Sequence, residues 1–428
     1  MKAPKLSQLA ETLIGSEIVK LGAEIKERIR QGARVYNFTV GDFDPAIFPI
    51  PVELEQHIEQ AYRDKHTNYP MAEGNLELRQ ALKSFIQHYQ GLQYDISEIL
   101  VASGGRPLIY TVFRTLCDPG DKIVYAVPSW NNNHYTHFVG AEHIVLEAKA
   151  ENNFMPTAAE LKPHLAGATL LALCSPQNPT GTTFSASELE AICDLVLEEN
   201  ARRGPDEKKL YVMYDQMYWH LTYGTIKHHD PVSLRPAMKE FTIFVDAISK
   251  VFSATGLRVG WGLGPAPVIA KMKSILTHMG AWAPMAEQKG LTHYLHDFNA
   301  IDRYLGHFKS EIEHRLTRIY EGLLQLKQEA LPIDAIAPEA AIYLTVKVDL
   351  KGWKKADGTT LADQAAVTHF LLNDASLALV PFYAFGSDRE SPWYRLSVGT
   401  CKKEECRRCF RRTETSFTLF LLKQLQAI

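Results

Sequence analysis

Residues 246 to 261 read DAISKVFSATGLRVGW, and between Lys250 and Arg258 there is no other charge. A lysine that follows an apolar strand is desolvated, which lowers its pKa and yields a usable neutral amine. Such an amine can form a Schiff base with a carbonyl, while the forked donors of Arg258 suit a phosphate. An aliphatic stem with a snorkelling ammonium explains one such lysine equally well. Three further stretches raise the same choice. In ASGGRPLI (102 to 109) a strand end runs through two glycines into a helix, so Gly105 and Arg106 sit where backbone N–H groups and the helix N-terminus attract an anion. In SPQNPTGTTFS (175 to 185), Asn178 is held between two prolines, and its amide suits a hydroxyl or phenolate oxygen. In VMYDQMYWH (212 to 220), Asp215 ends an apolar run, where an acid is costly unless it meets a cation or hydrogen-bond donors.

Each stretch alone has an ordinary structural explanation: a Gly-Gly turn, a proline turn, a helix-capping aspartate. Together they supply an amine for an aldehyde, a phosphate cradle, a partner for a ring nitrogen and a donor to a phenolate. Pyridoxal 5′-phosphate asks for all four.

The elements that must position these groups are visible in the same sequence. EILVAS (98 to 103), KIVYAV (122 to 127), HIVLEA (143 to 148), TLLALCS (169 to 175), KLYVMYD (209 to 215) and FTIFVDA (241 to 247) read as buried strands. Amphipathic helices such as 185 to 203 lie between several of them, the alternation of an α/β domain with a mainly parallel sheet. Active sites in such sheets lie at the carboxyl ends of the strands, and most of the polar motifs directly follow a strand. The pattern changes near residue 295. A long charged helix leads to AAIYLTVKVDL, a helix near 362 to 373, LALVPFYAFG and WYRLSVGT. The expected organisation is an N-terminal segment (1–45) packing with a small α+β domain (296–428), and a large domain (46–295).

The chain has 428 residues, 46% of them hydrophobic and 22% charged, with a formal net charge of -3. That balance lacks the concentrated basic footprint of a nucleic-acid binder. No uninterrupted apolar stretch reads as a signal peptide or a membrane span. Six sparse cysteines suggest free thiols in the cytoplasm. Cys406 and Cys409 form a C-x-x-C pair with no second pair nearby, so no metal site is expected.

ISKVFSATGLRVGW resembles the S-K-x-F-x-x-x-G-x-R-x-G signature of the class I/II aminotransferases, within the fold-type I pyridoxal-phosphate enzymes. YPMAEGNLELR (69 to 79), SPQNPTG, YDQMY, NFTVGDFDP and YRLSVGT are similar to further motifs of that family, in family order from about 36 to 400. The resemblance implies that Lys250 forms the Schiff base and shuttles the proton, and that Asp215 pairs with the ring nitrogen. Asn178 and Tyr218 would bond the phenolate oxygen, and Trp130 would stack on the ring. Gly105, Arg106, Ser249 and Arg258 would hold the phosphate. Tyr69 would reach the cofactor of a neighbouring subunit, which implies a homodimer. Arg395 would grip the substrate α-carboxylate beside the backbone of Gly41, with Trp130 and Asn178 also facing the substrate. The implied activity is transfer of an amino group from an L-α-amino acid to a 2-oxo acid by a ping-pong mechanism. A carbon–sulfur β-lyase on the same fold is the alternative, and a non-catalytic cofactor-binding regulator a more distant one. One departure is Ala247, where many members carry a hydroxyl that bonds the phosphate.

Overall fold

Short apolar runs become strands here because both faces of the large sheet are covered. The computed structural model describes residues 5–355 and 357–405. Its strands are β1 (Tyr36–Asn37), β2 (Ile99–Ala102), β3 (Lys122–Val127), β4 (Glu142–Glu147), β5 (Ala168–Cys174), β6 (Tyr211–Asp215), β7 (Thr242–Ala247), β8 (Gly260–Leu263), β9 (Ile333–Ala335), β10 (Tyr343–Val348), β11 (Leu377–Ala378), β12 (Val380–Pro381) and β13 (Trp393–Ser397). The large sheet has the order β2-β8-β7-β6-β5-β3-β4. Its strands run in one direction except β8, which is antiparallel to both neighbours.

Alternate residues of this sheet enter opposite cores. Leu171, Leu173, Val212, Tyr214 and Phe244 join one cluster, while Leu170, Ala172, Met213, Ile243 and Val245 join the other. The six expected strands are all present, within one or two residues of their expected ends; five are buried as expected, but β4, at the edge of the sheet, alternates exposed and half-buried residues. β8 was not expected; it begins two residues after Arg258 and pairs Ala247 with Gly260.

A smaller antiparallel sheet has the order β12-β13-β10-β9. The 31-residue helix Phe298–Gln328, capped by Asp297 on the Ala300 N–H, leads into it. Ala300, Ile301 and Leu305 of this helix join the large-sheet core, and Phe308, Ile312 and Leu316 join the core of the smaller sheet. β1 pairs with β11 in parallel, tying residues 36–37 to the C-terminal part of the chain. No helix among the described residues is long and apolar enough to cross a membrane. Cys406 and Cys409 lie outside the described residues.

Candidate active site

The carboxyl ends of β2, β5, β6 and β7 bring the sequence motifs to one edge of the large sheet. β2 ends at Ala102, and after Gly104 the helix Gly105–Leu116 begins. Gly104 has φ +84°, and a Cβ there would overlap the Arg258 guanidinium, so only glycine fits. Arg258 arches over this turn, donating to the Thr255 carbonyl at 2.7 Å and to the Ser103 carbonyl at 3.2 Å. Ser249 is buried in the short helix Ile248–Val251 that follows β7. Arg106 is exposed at the mouth, its guanidinium 5.5 Å from the centre of the Trp130 ring.

Lys250 lies in the same short helix, and its Nζ donates to the Gly41 carbonyl at 2.6 Å. Burial lowers its pKa to about 8; Asp42 pulls the other way, and the charges of Arg395, Arg106 and Arg258 add to the lowering. Asp215 sits at the end of β6, where burial raises its pKa to about 6 against the opposing hydrogen bond from the Met217 N–H. That N–H, 3.0 Å from Oδ1, is the one protein donor to the carboxylate among the described residues. The parallel register sets Asp215 beside Cys174 on one side and Val245 on the other, so Asn178, Asp215 and Lys250 follow adjacent strand ends.

The opposite wall comes from the smaller sheet and the N-terminal segment. Arg395 is only 2% exposed. It donates to Asn178 Oδ1 at 3.0 Å and to the Thr39 carbonyl at 2.7 Å, while its Nε has no protein partner. The rings of Tyr343 and Phe385 lie 4.7 and 4.9 Å from its guanidinium. A Cβ on Gly41 would stand 2.9 Å from the Tyr343 hydroxyl and 3.4 Å from Arg395 Nη1, so glycine keeps this approach open.

Eleven of the twelve expected residues thus line one cleft or its rim. Tyr69 stands apart: its side chain is 82% exposed and meets Trp282 edge-on, ring centres 5.4 Å apart. Sequence reasoning missed Tyr343, whose hydroxyl is 2.5 Å from that of Tyr218, and also Thr39, Asp42 and Phe385. The run around Tyr343 signals a strand and nothing more, because its partner Tyr218 is distant in sequence.

The groups present fit pyridoxal 5′-phosphate. The glycine turn and Arg258 make an anion cradle, the depressed lysine provides an amine, and the buried carboxylate has an oxygen to spare for a protonated ring nitrogen. Ala247 offers the cradle no hydroxyl, so a bound phosphate would depend on Arg258, Ser249 and backbone N–H groups.

The chain is similar to known proteins over most of its length. An aspartate aminotransferase of Rhizobium meliloti (strain 1021) is 27% identical over 392 residues, 91% of this chain and 90% of that protein. A probable aspartate/prephenate aminotransferase of Rickettsia typhi is 28% identical, over 94% of this chain and 96% of that protein. Among solved structures, the Rhizobium meliloti aspartate aminotransferase superposes with a TM-score of 0.85 at 25% identity, covering 95% of this chain and 96% of that one. Thermus thermophilus aspartate aminotransferase with maleate gives 0.83 at 26% identity, covering 95% and 97%. The family profile described as aminotransferase class I and II matches residues 33–412. The chain therefore belongs to the class I and II aminotransferases, enzymes that work with pyridoxal 5′-phosphate.

Proposed function

We propose that this aminotransferase takes its amino group from a dicarboxylic L-α-amino acid, passes it to a 2-oxo acid in two half-reactions, and works as a homodimer with shared sites. One observation carries the reading of the cleft. The Lys250 amine is bonded to the Gly41 carbonyl, and Gly41 itself lies against Arg395. A proton-moving amine and a cation suited to a carboxylate therefore both border Gly41. The choice of a dicarboxylic donor is supported by the relatives named for aspartate and by the neighbour solved with maleate.

The roles follow from the chemistry of each side chain. Arg395 and the Gly41 backbone orient the α-carboxylate, with Asn178 and Trp130 beside it. Lys250, whose depressed pKa leaves more of it neutral, takes the Cα proton and delivers it to the cofactor's C4′ on the same face. Asp215 holds a proton on the ring nitrogen, and Asn178 and Tyr218 bond the phenolate oxygen. Gly105, Arg106, Ser249 and Arg258 hold the phosphate, while Trp130 covers the ring. Tyr69 reaches the phosphate in the site of a second copy. The bound cofactor supplies the sink for the electrons of the broken Cα bond.

Two measurements test this. Lys250→Ala is expected to abolish turnover together with the visible absorbance of lysine-bound cofactor; full activity in that variant overturns the mechanism. In stopped-flow mixing of holoenzyme with single amino acids, L-aspartate or L-glutamate should convert that band fastest. Faster conversion by L-alanine or L-phenylalanine overturns the donor reading. For the shared site, mixing Tyr69→Ala chains with Lys250→Ala chains should restore activity, because one of the two hybrid sites is then complete.

A further inference from the structure

Away from the Lys250 cleft, two cavities of about 500 and about 380 Å3 share a wall made by Tyr89, His220, Thr222 and Lys309. They open where the segment after β6 runs beside the helix Phe298–Gln328. The larger is bordered by Asp302 and Glu313, and both carboxylates are engaged: Asp302 accepts from the Tyr89 hydroxyl at 2.8 Å and Glu313 from the Gly224 N–H at 3.2 Å. The smaller cavity is rich in nitrogen, adding Lys227, His228 and His229 to His220 and Lys309. Its one lining carboxylate, Asp230, caps the helix Pro231–Leu234 by accepting from the Val232 and Ser233 N–H groups, both at 2.9 Å.

The donors here lack acceptors. His220 is 91% buried (9% exposed), and its Nε2 has no hydrogen-bond partner; nor does His228 Nδ1. Among the described residues, neither Lys309 nor Lys227 forms a hydrogen bond or an ion pair. Lys309 is half-buried, and burial lowers its pKa. The Lys309 charge adds to the burial that holds His220 well below its ordinary value, and both residues line both cavities. A half-buried ammonium with no ion-pair partner, eased only by the charge of Glu313, and an imidazole nitrogen with no partner are both costly. A metal does not answer this need, since no group of three or more ligating side chains occurs among the described residues. An oxyanion does: it accepts from Lys309 Nζ, with the His220 ring beside it in the cavity wall.

We infer that the smaller cavity is a binding site for a small oxyanion, a carboxylate or a phosphate, held by Lys309 and His220 with Lys227 at its mouth. The site is separate from the cofactor cleft but joined to it. His220 lies two residues after Tyr218, and Lys309 follows Phe308, whose ring packs 5.2 Å from that of Phe43 beside Asp42.

The test is isothermal titration of holoenzyme with inorganic phosphate and, separately, with malonate at constant ionic strength. Cofactor already fills the phosphate cradle, and any malonate bound at Arg395 appears equally in wild type and variant. The expected result is one saturable event per chain that Lys309→Met weakens by at least about tenfold and Lys309→Arg retains. Turnover without added anion stays at the wild-type level. Dependence on Lys309 for phosphate alone identifies a phosphate site, for malonate alone a carboxylate site, and for both the shared oxyanion chemistry. Lys309→Gln serves the same comparison if the methionine variant does not fold. Wild-type and variant isotherms that superimpose for both anions overturn the proposal.

Discussion

Replacing Asp215 with asparagine separates what the fold wants from what the chemistry wants. In the cofactor-free chain, burial moves this carboxyl from its ordinary 3.8 to about 6. At about 1.4 kcal/mol per pH unit, that difference corresponds to about 3 kcal/mol of penalty on the charged form. The carboxylate keeps some contact with water, so about 1–3 kcal/mol is the expected range. The sign follows from proton binding. Between about pH 4 and 6 the folded chain holds this proton while the unfolded chain has lost it, so stability falls as pH rises, and the penalty is complete above that window. Asparagine has nearly the same shape and still accepts from the Met217 N–H, but carries no charge. Cofactor-free Asp215→Asn should therefore be more stable than wild type by about 1–3 kcal/mol near pH 7.5, with the gain vanishing near pH 4. The same variant should lose most of its transaminase activity, because nothing then keeps a proton on the ring nitrogen. Urea denaturation of both cofactor-free proteins across this pH range reads the first effect. A gain that does not change between about pH 4 and 7.5, or a loss near pH 7.5, refutes the burial argument.

Lys250 gives the complementary test: with its pKa lowered to about 8, the rate at which cofactor-free protein captures pyridoxal 5′-phosphate should rise up to about tenfold per pH unit below that value and level off above it. A capture rate that is flat through about pH 8 contradicts the depressed amine. Arg395→Lys replaces a fork by a point charge and forfeits the paired bonds to Asn178 and Thr39; kcat/KM should fall by about 10- to 100-fold while the cofactor absorbance is kept. Gly104→Ala meets both the φ of +84° and the Arg258 guanidinium, so a stability loss of about 1–3 kcal/mol and weaker cofactor retention on dialysis are expected.

The sequence is most informative where burial is two-sided. The strands of the large sheet covered on both faces read as continuous apolar runs; all six runs so identified are strands, although β4 lies exposed at the edge. β8 escaped for a reason tied to the site itself. Its sequence is GWGL, and a Cβ on Gly260 would lie 2.7 Å from the Gly104 carbonyl carbon. Strand propensity is surrendered there so that the backbone can approach the glycine turn closely. The demand that builds the cradle also hides the strand behind it.

The two walls of the cleft differ in the same way. On the large-sheet side, each chemical residue directly follows a strand, so the motif and the rule for parallel sheets suffice to place it. Register then does the rest: Cys174 beside Asp215 and Asp215 beside Val245 set the strand ends in a row. On the other side, Arg395 is legible only through a family motif, and Tyr343, Thr39 and Phe385 carry no local mark. Their positions depend on β10 pairing with β13, where Thr345 faces Arg395, and on a long helix that crosses from one core to the other. Asn178 joins the two walls, because its Oδ1 accepts from Arg395 while it stands next to the Asp215 strand end. In the proposed site, a substrate carboxylate that drew Arg395 toward itself would reorganise the same amide that is assigned to the phenolate oxygen. That arrangement would couple carboxylate recognition to cofactor electronics through a single side chain, and Asn178→Ala should then disturb both the absorbance of the bound cofactor and the KM for the amino acid.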